Sequence, residues 1–351
     1  MNKRYLKWLL YIGAPLCLLL PLNMIWNFNS FFKTIVLQPQ KTGITTLNFY
    51  DKARERPVTT EVWYPVDRES PAQAAAGFWL RCDEARDAPI SKKLAKYPLI
   101  VLSHGNGGDR FNISWLAEIL ASNGYIVAAM DHYGNTWNNK IPKCYAKPWE
   151  RPKDVSFVIS ELLNDATFKD RINTKKIGFS GYSLGGATGI WVAGATPGQV
   201  DPQSIAEVCQ QELKELVTPD IIKQIDFNEV LQSFHDERVG AFLLMAPALG
   251  WLFDETSLNS IDRPVYIFTT EKDRVVSPEK NAQLFAKRLS KATLKIFKGD
   301  GDHYVFLNCA SRMGKRILEP KLCEDAQTVE RRKIHEEIGK LAIEFFDTHL
   351  H

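Results

Sequence analysis

Neither sign of charge dominates this sequence. Lys and Arg total 44 and Asp and Glu total 41, so the 351 residues carry a formal net charge of only +3. That balance lacks the basic excess with which a chain grips a polyanion, and no nucleic-acid partner is expected. Internal repeats and low-complexity tracts are absent as well, which excludes stacked-repeat architectures and long disordered tails. No C-x-x-C pair points to a metal, so the chemistry is expected to come from side chains alone, without metal or cofactor. Long apolar runs are missing except at the N-terminus. What is present, 45% apolar and 24% charged residues, suffices for one large core.

Within that core sequence, Gly181-Tyr182-Ser183-Leu184-Gly185 fits G-x-S-x-G, the pattern of a nucleophile elbow. The apolar run 176–180 before it reads as a buried parallel strand. The small apolar run Ala187 to Ala195 after it reads as a helix packed on a sheet. Ser183 therefore falls at a strand-turn-helix junction tight enough to need glycine on both sides. A serine hydroxyl needs a base, and the base an orienting acid. Two later strands supply candidates. Pro264 to Thr270 runs into Glu271, Lys272 and Asp273; Thr293 to Phe297 runs into Asp300, Asp302 and His303. Loops at the C-terminal ends of parallel strands are where open α/β sheets build their sites.

Seven histidines are available. His335, His349 and His351 belong to a C-terminal helix or tail, His235 lies in a polar helical stretch, and His132 precedes the serine. His303 is the preferred base and Asp273 the preferred acid. Glu271 and Asp254 stay open as alternatives for the acid, and Asp300 and Asp302 are read as shaping the histidine turn. A further glycine-rich loop, His104-Gly105-Asn106-Gly107-Gly108, follows the strand 97–103. An oxyanion needs backbone N–H donors, expected from Leu184 and from Asn106. His104 is expected to brace that loop.

These residues together resemble the α/β-hydrolase superfamily. More narrowly, the chain is similar to dienelactone-hydrolase-like and platelet-activating-factor acetylhydrolase-like serine hydrolases over residues 40 to 349. Arg56 to Pro65 and the helix start Arg151-Pro152-Lys153-Asp154-Val155 support the narrower likeness. Two departures stand out. Dienelactone hydrolases proper use a cysteine where this chain has Ser183, and the acetylhydrolases carry their acid one strand earlier, where this chain has none. The resemblance implies hydrolysis of a carboxylic ester, lipid-like or short-chain, through an acyl-enzyme. An acyltransferase on the same residues and a non-catalytic binding protein are the competing readings. Tyr133, Trp137, Tyr182 and Trp251 lie near strand ends and are expected to line the substrate pocket.

The expected fold is α/β: eight strands, near 42–50, 58–65, 98–103, 125–131, 175–181, 239–245, 264–270 and 292–297, in a mostly parallel doubly wound sheet. Helices near 111–123, 152–165, 184–195, 279–289 and 328–348 cover both faces. Residues 66–96 read as an irregular loop. Residues 196–237 read as a helical lid insertion, with helical spacing over 205–216 and 219–234. Residues 1–38 precede the catalytic domain, 39–351. Lys3, Arg4 and Lys7 followed by about 19 mostly apolar residues, Trp8 to Trp26, read as a signal peptide or membrane anchor. Export to the periplasm or outside the cell is expected, with possible membrane association. In an oxidising compartment loop cysteines pair, so Cys309–Cys323 and Cys82–Cys144 are expected as disulfides, with Cys209 free.

Overall fold

Alternation of apolar residues sets the two layers of this protein on either side of its central sheet. The computed structural model describes residues 42–67, 69–198 and 200–350. The N-terminal segment expected to direct export lies outside them. Nine strands form one sheet: β1 (Thr42–Asp51), β2 (Arg56–Tyr64), β3 (Glu84–Arg86), β4 (Tyr97–Ser103), β5 (Ile126–Met130), β6 (Ile172–Tyr182), β7 (Val239–Met245), β8 (Val265–Thr270) and β9 (Ala292–Phe297). Their spatial order is β3-β1-β2-β5-β4-β6-β7-β8-β9. β2 is antiparallel to both neighbours, and every other pair is parallel.

Successive side chains of a strand point to opposite faces, and a doubly covered strand is apolar on both. In β4, Leu99 and Val101 enter one core and Ile100 and Leu102 the other. On the first face lie α2 (Glu150–Asn164), α3 (Leu184–Val192) and α5 (Ala282–Arg288). On the second lie α1 (Ser114–Ser122) and the long C-terminal α6 (Arg331–His349). This is the doubly wound arrangement that the helix-strand alternation predicts.

The sheet has nine strands rather than eight. The extra one, β3, sits inside the segment read as an irregular loop and pairs Thr42–Ile44 of β1 in parallel. Three residues carry no periodicity that sequence reading can detect. Ion pairing fixes the strand instead: Glu84 meets both Arg81 and Arg86, and Arg86 also reaches the buried Glu61.

The insertion 196–237 also departs from expectation. α4 (Pro202–Glu212) forms, with Asp201 as its N-cap, but the stretch 219–234 breaks into a single turn, Pro219–Ile222, and a 3-10 turn, Phe227–Leu231. Asp226 accepts from Asn228 N–H at 2.9 Å and so caps the second piece separately. The insertion buries its apolar residues as a layer on the first face. Phe227 packs edge-on against Trp149 at 5.5 Å and Phe234 against Trp191 at 6.5 Å. None of its described residues lines the cavity over Ser183.

No disulfide joins any two of the described cysteines, Cys82, Cys144, Cys209, Cys309 and Cys323. The expected pairs fail because the residues are engaged in separate places. Cys82 N–H donates to Glu118 at 3.1 Å, Cys144 lies against Gly134, and Cys323 Sγ faces the Gly314 carbonyl at 3.9 Å. Among the described residues, no helix is long and apolar enough to cross a membrane.

Glu118 is a buried carboxyl on the core-facing side of α1. Burial pushes its pKa from 4.5 up to about 7. The folded state therefore holds a proton that the unfolded chain releases between those values, and stability falls as pH rises through that window. The shift corresponds to about 3 kcal/mol. Urea titrations at pH 5 and pH 8 should show that loss in the wild type and a much smaller one in Glu118→Gln, which cannot ionise. Equal pH dependence in both proteins would refute a buried, proton-holding Glu118.

Candidate active site

β6 runs down the middle of the sheet and ends at the elbow. A side chain on Gly181 would place its Cβ 2.2 Å from the Gly185 carbonyl oxygen, and one on Gly185 would lie 2.0 Å from the Ser103 carbonyl oxygen. Only glycine fits either place. Ser183 itself adopts φ +57° and ψ −118°, a conformation that costs a non-glycine residue of order 1–3 kcal/mol. Neighbours hold it there. Ser183 N–H donates to the Met245 carbonyl at 2.9 Å, and its own carbonyl accepts from Ala248 N–H at 3.1 Å and from the first turn of α3.

The loops after β8 and β9 bring the other two groups to it. His303 Nε2 lies 3.0 Å from Ser183 Oγ, and His303 Nδ1 lies 2.7 Å from Asp273 Oδ2. All three side chains are buried, Ser183 least so at 9% exposure. The second oxygen of Asp273 accepts two backbone N–H bonds, from Val275 at 2.9 Å and Val276 at 2.7 Å. That oxygen is committed, which leaves Oδ2 to face the imidazole. Asp302, read as shaping the histidine turn, ties both loops together. It accepts from His303 N–H at 2.8 Å and from Arg274 N–H at 3.0 Å. The other acid candidates are occupied elsewhere. Glu271 is exposed and pairs with Lys298 at 2.7 Å, and Asp254 caps the turn Glu255–Asn259 through Ser257 N–H at 2.8 Å.

Ser183 opens into a cavity of about 390 Å³. Trp137, Tyr182 and Asn106 are among the residues that line it. Tyr133 and Trp251 do not line it. Trp251 is 47% exposed in the turn after β7, where the chain has already left the site. The aromatic and aliphatic walls come instead from Phe78 and Trp79, from Tyr145, and from Leu318 and Leu322. The first of these segments is sewn to residues 309–311, which lie far from it in the chain and lead on to Leu318 and Leu322. Leu80 N–H donates to the Cys309 carbonyl at 2.7 Å and Ser311 N–H to the Phe78 carbonyl at 2.8 Å, and Trp79 bridges Ala310.

In the loop after β4, Gly107 N–H donates to Asn135 Oδ1 at 3.0 Å and Gly108 N–H to the Gly105 carbonyl at 3.2 Å. Among the described residues, Asn106 N–H meets no acceptor. Leu184 is the first residue of α3, so its N–H has no partner within the helix. Both N–H groups are therefore available to a ligand beside Ser183.

A second Ser-His-Asp line lies beneath that loop. Ser103 Oγ is 2.8 Å from His132 Nε2, and His132 Nδ1 is 2.8 Å from Asp154 Oδ2. Its distances match those of the first line, but Ser103 is wholly buried and does not reach the cavity. Burial, reinforced by the nearby Arg151, Arg56 and Arg54, drives His132 well below the usual histidine range and keeps it neutral. Access to substrate separates the two lines; geometry alone does not. His104 braces the loop as expected. It is likewise kept neutral, first by burial and then by Arg151, with Nδ1 2.7 Å from the Gly105 carbonyl and Nε2 accepting from His132 N–H at 3.2 Å. Sequence reading missed Asn135 and Arg151 in this network. The one signal was the run Arg151-Pro152-Lys153-Asp154, noted only as a likeness. No group of three or more metal-ligating side chains occurs among the described residues.

With this geometry in place, the chain has the α/β-hydrolase fold. The match to a ferulic acid esterase from Streptomyces cinnamoneus, TM-score 0.61 over 89% of this chain and 91% of that one at 19% identity, shows the same fold. Residues 74–139 match the family model of platelet-activating factor acetylhydrolase, isoform II. The cutinase est1 of Thermobifida alba is 29% identical over 103 residues, 29% of this chain and 32% of that enzyme. Dipeptidyl-peptidase 5 of Schizosaccharomyces pombe is 28% identical over 141 residues, 38% of this chain and 19% of that protein. The chain thus spans about a third of the cutinase's length and about a fifth of the peptidase's. The likenesses thus run to an acetylhydrolase, a cutinase, a ferulic acid esterase and a peptidase.

Proposed function

We propose that this protein hydrolyses carboxylic esters through a covalent acyl-enzyme. The observation that carries the reading is the hydrogen-bonded line Asp273–His303–Ser183 ending in an apolar cavity. In this reading Ser183 Oγ attacks the ester carbonyl as His303 Nε2 removes its proton. Asp273 holds the imidazole in the right tautomer and stabilises its cation. The N–H groups of Leu184 and Asn106 receive the developing oxyanion. His303 then returns its proton to the departing alcohol and activates the water that releases the acid. The aromatic walls from Phe78, Trp79 and Trp137 favour an apolar acyl or alkyl group, and the cavity is the size of a small-molecule site. The basic start and apolar run of residues 3–26 support export.

p-Nitrophenyl esters of increasing acyl length test this directly. Turnover should be measurable for short and medium chains and should fall once the acyl group outgrows the cavity. Adding an alcohol to the same assay separates hydrolysis from transfer, because a transferase would divert product into a new ester. Folded wild-type protein that turns over none of these esters would count against the proposal.

A further inference from the structure

We infer that Arg151 is a positioning residue for the oxyanion site, acting through the Gly105–Asn106 peptide; this rests on the hydrolase reading above. The Gly105 carbonyl is drawn into the protein by three groups: Arg151 Nη2 at 3.0 Å, His104 Nδ1 at 2.7 Å and Gly108 N–H at 3.2 Å. In a trans peptide the C=O and N–H point in opposite directions. A carbonyl anchored inward therefore turns the N–H of the same peptide, that of Asn106, outward to the cavity. Gly105 packs directly beside the nucleophile, since a Cβ there would lie 3.4 Å from Ser183 Cβ.

The guanidinium fixes more than one peptide. Its Nη1 donates to the His104 carbonyl at 2.7 Å, and Nη2 also reaches Asn135 Oδ1 at 3.1 Å. Asn135 passes the constraint on, accepting from Gly107 N–H and donating to Asn106 Oδ1 at 2.9 Å. Two successive carbonyls and an amide are spanned by the two terminal nitrogens of one planar fork, a geometry that the single nitrogen of lysine cannot reproduce. Arg151 is itself 2% exposed, and burial pulls its pKa down to about 9, so it remains a cation at neutral pH. Asp154 compensates that charge and is held in place by Arg56 at 2.5 Å, Arg54 at 2.9 Å and the neutral His132. The second Ser-His-Asp line thus belongs to the foundation of the oxyanion loop.

Full-length wild type, Arg151→Lys and Asn135→Ala would be compared on p-nitrophenyl butyrate, each normalised to the sites titrated by a p-nitrophenyl phosphonate. A boronic acid, which becomes a tetrahedral anion on the serine, reports the oxyanion site; butanol, a neutral product, reports the pocket. Arg151→Lys should lower kcat per titrated site roughly 10- to 100-fold with KM within about twofold. Boronate affinity should fall in step with kcat/KM while butanol inhibition stays put, a split that mere loss of folded protein cannot produce. If Arg151→Lys does not fold, Asn135→Ala decides by the same readouts. Unchanged kcat per site and unchanged boronate affinity would overturn this inference alone. A wild type that neither turns over ester nor is phosphonylated at Ser183 would instead overturn the hydrolase reading and this inference with it.

Discussion

Ser183→Ala is expected to remove roughly 10⁶-fold of kcat while leaving the melting temperature close to that of the wild type. The variant deletes a single oxygen at the mouth of the cavity. Its Cβ stays, so the unusual backbone at position 183 is still held by the same bonds to Met245 and Ala248. His303 keeps Asp273 and loses only its outward partner. No buried group is left without a partner except an imidazole nitrogen that faces the cavity. Stopped assays on titrated enzyme, beside a thermal melt, give both quantities. Turnover within tenfold of the wild type would mean that some other group attacks, and the assignment of Ser183 as nucleophile would be wrong. The buried Ser103 could not rescue it, since substrate has no path there.

The second large effect is expected from Asp273→Asn, and its cause is the orientation that the loop imposes on the new amide. One carboxylate oxygen of Asp273 accepts two backbone N–H bonds, from Val275 and Val276. In the asparagine variant only the amide oxygen can take that place. The amide nitrogen must then face His303 Nδ1 and donate to it. An Nδ1 that accepts puts the proton on Nε2, pointing at Ser183 Oγ, where a base is needed. Roughly 10⁴-fold of kcat should go, with KM little changed. The loss should shrink at high pH, where hydroxide substitutes for the missing base. Asp273→Asn with near wild-type kcat would return the acid role to another carboxylate. Glu271 and Asp254 could take it only after abandoning Lys298 and Ser257.

The line Asp273–His303–Ser183 was more legible in the sequence than the walls of the cavity, and the difference is physical. Each of the three, proposed as acid, base and nucleophile, follows a strand whose apolar period is strong, and local sterics dictate the glycines around Ser183. Those constraints act over five or six residues and therefore leave a readable pattern. The cysteines mislead because pairing depends on where distant loops come to rest: Cys82 settles against Glu118 and Cys144 against Gly134. The insertion 196–237 carries a helical period, but periodicity says only that an apolar face must be covered. Trp149 and Trp191 offer a better cover than an open cavity. Trp251 and Tyr133 were chosen for being aromatic near strand ends, yet neither lines the cavity, whereas Trp137, in the same loop as Tyr133, does. β3 is three residues held by ion pairs, below any period.

The seam between residues 78–80 and 309–311 has a consequence for how proteins of this fold diversify. The two banks of the cavity are knotted to each other by backbone bonds that any side chains could form, while the sheet beneath takes no part. Mutational drift in either bank can alter what is admitted without disturbing Ser183. Grafting one bank from a relative, however, would leave its stitches unmatched. A chimera with a new preference should therefore emerge only when both strips are exchanged as a pair, so that selectivity is inherited as a two-part cassette.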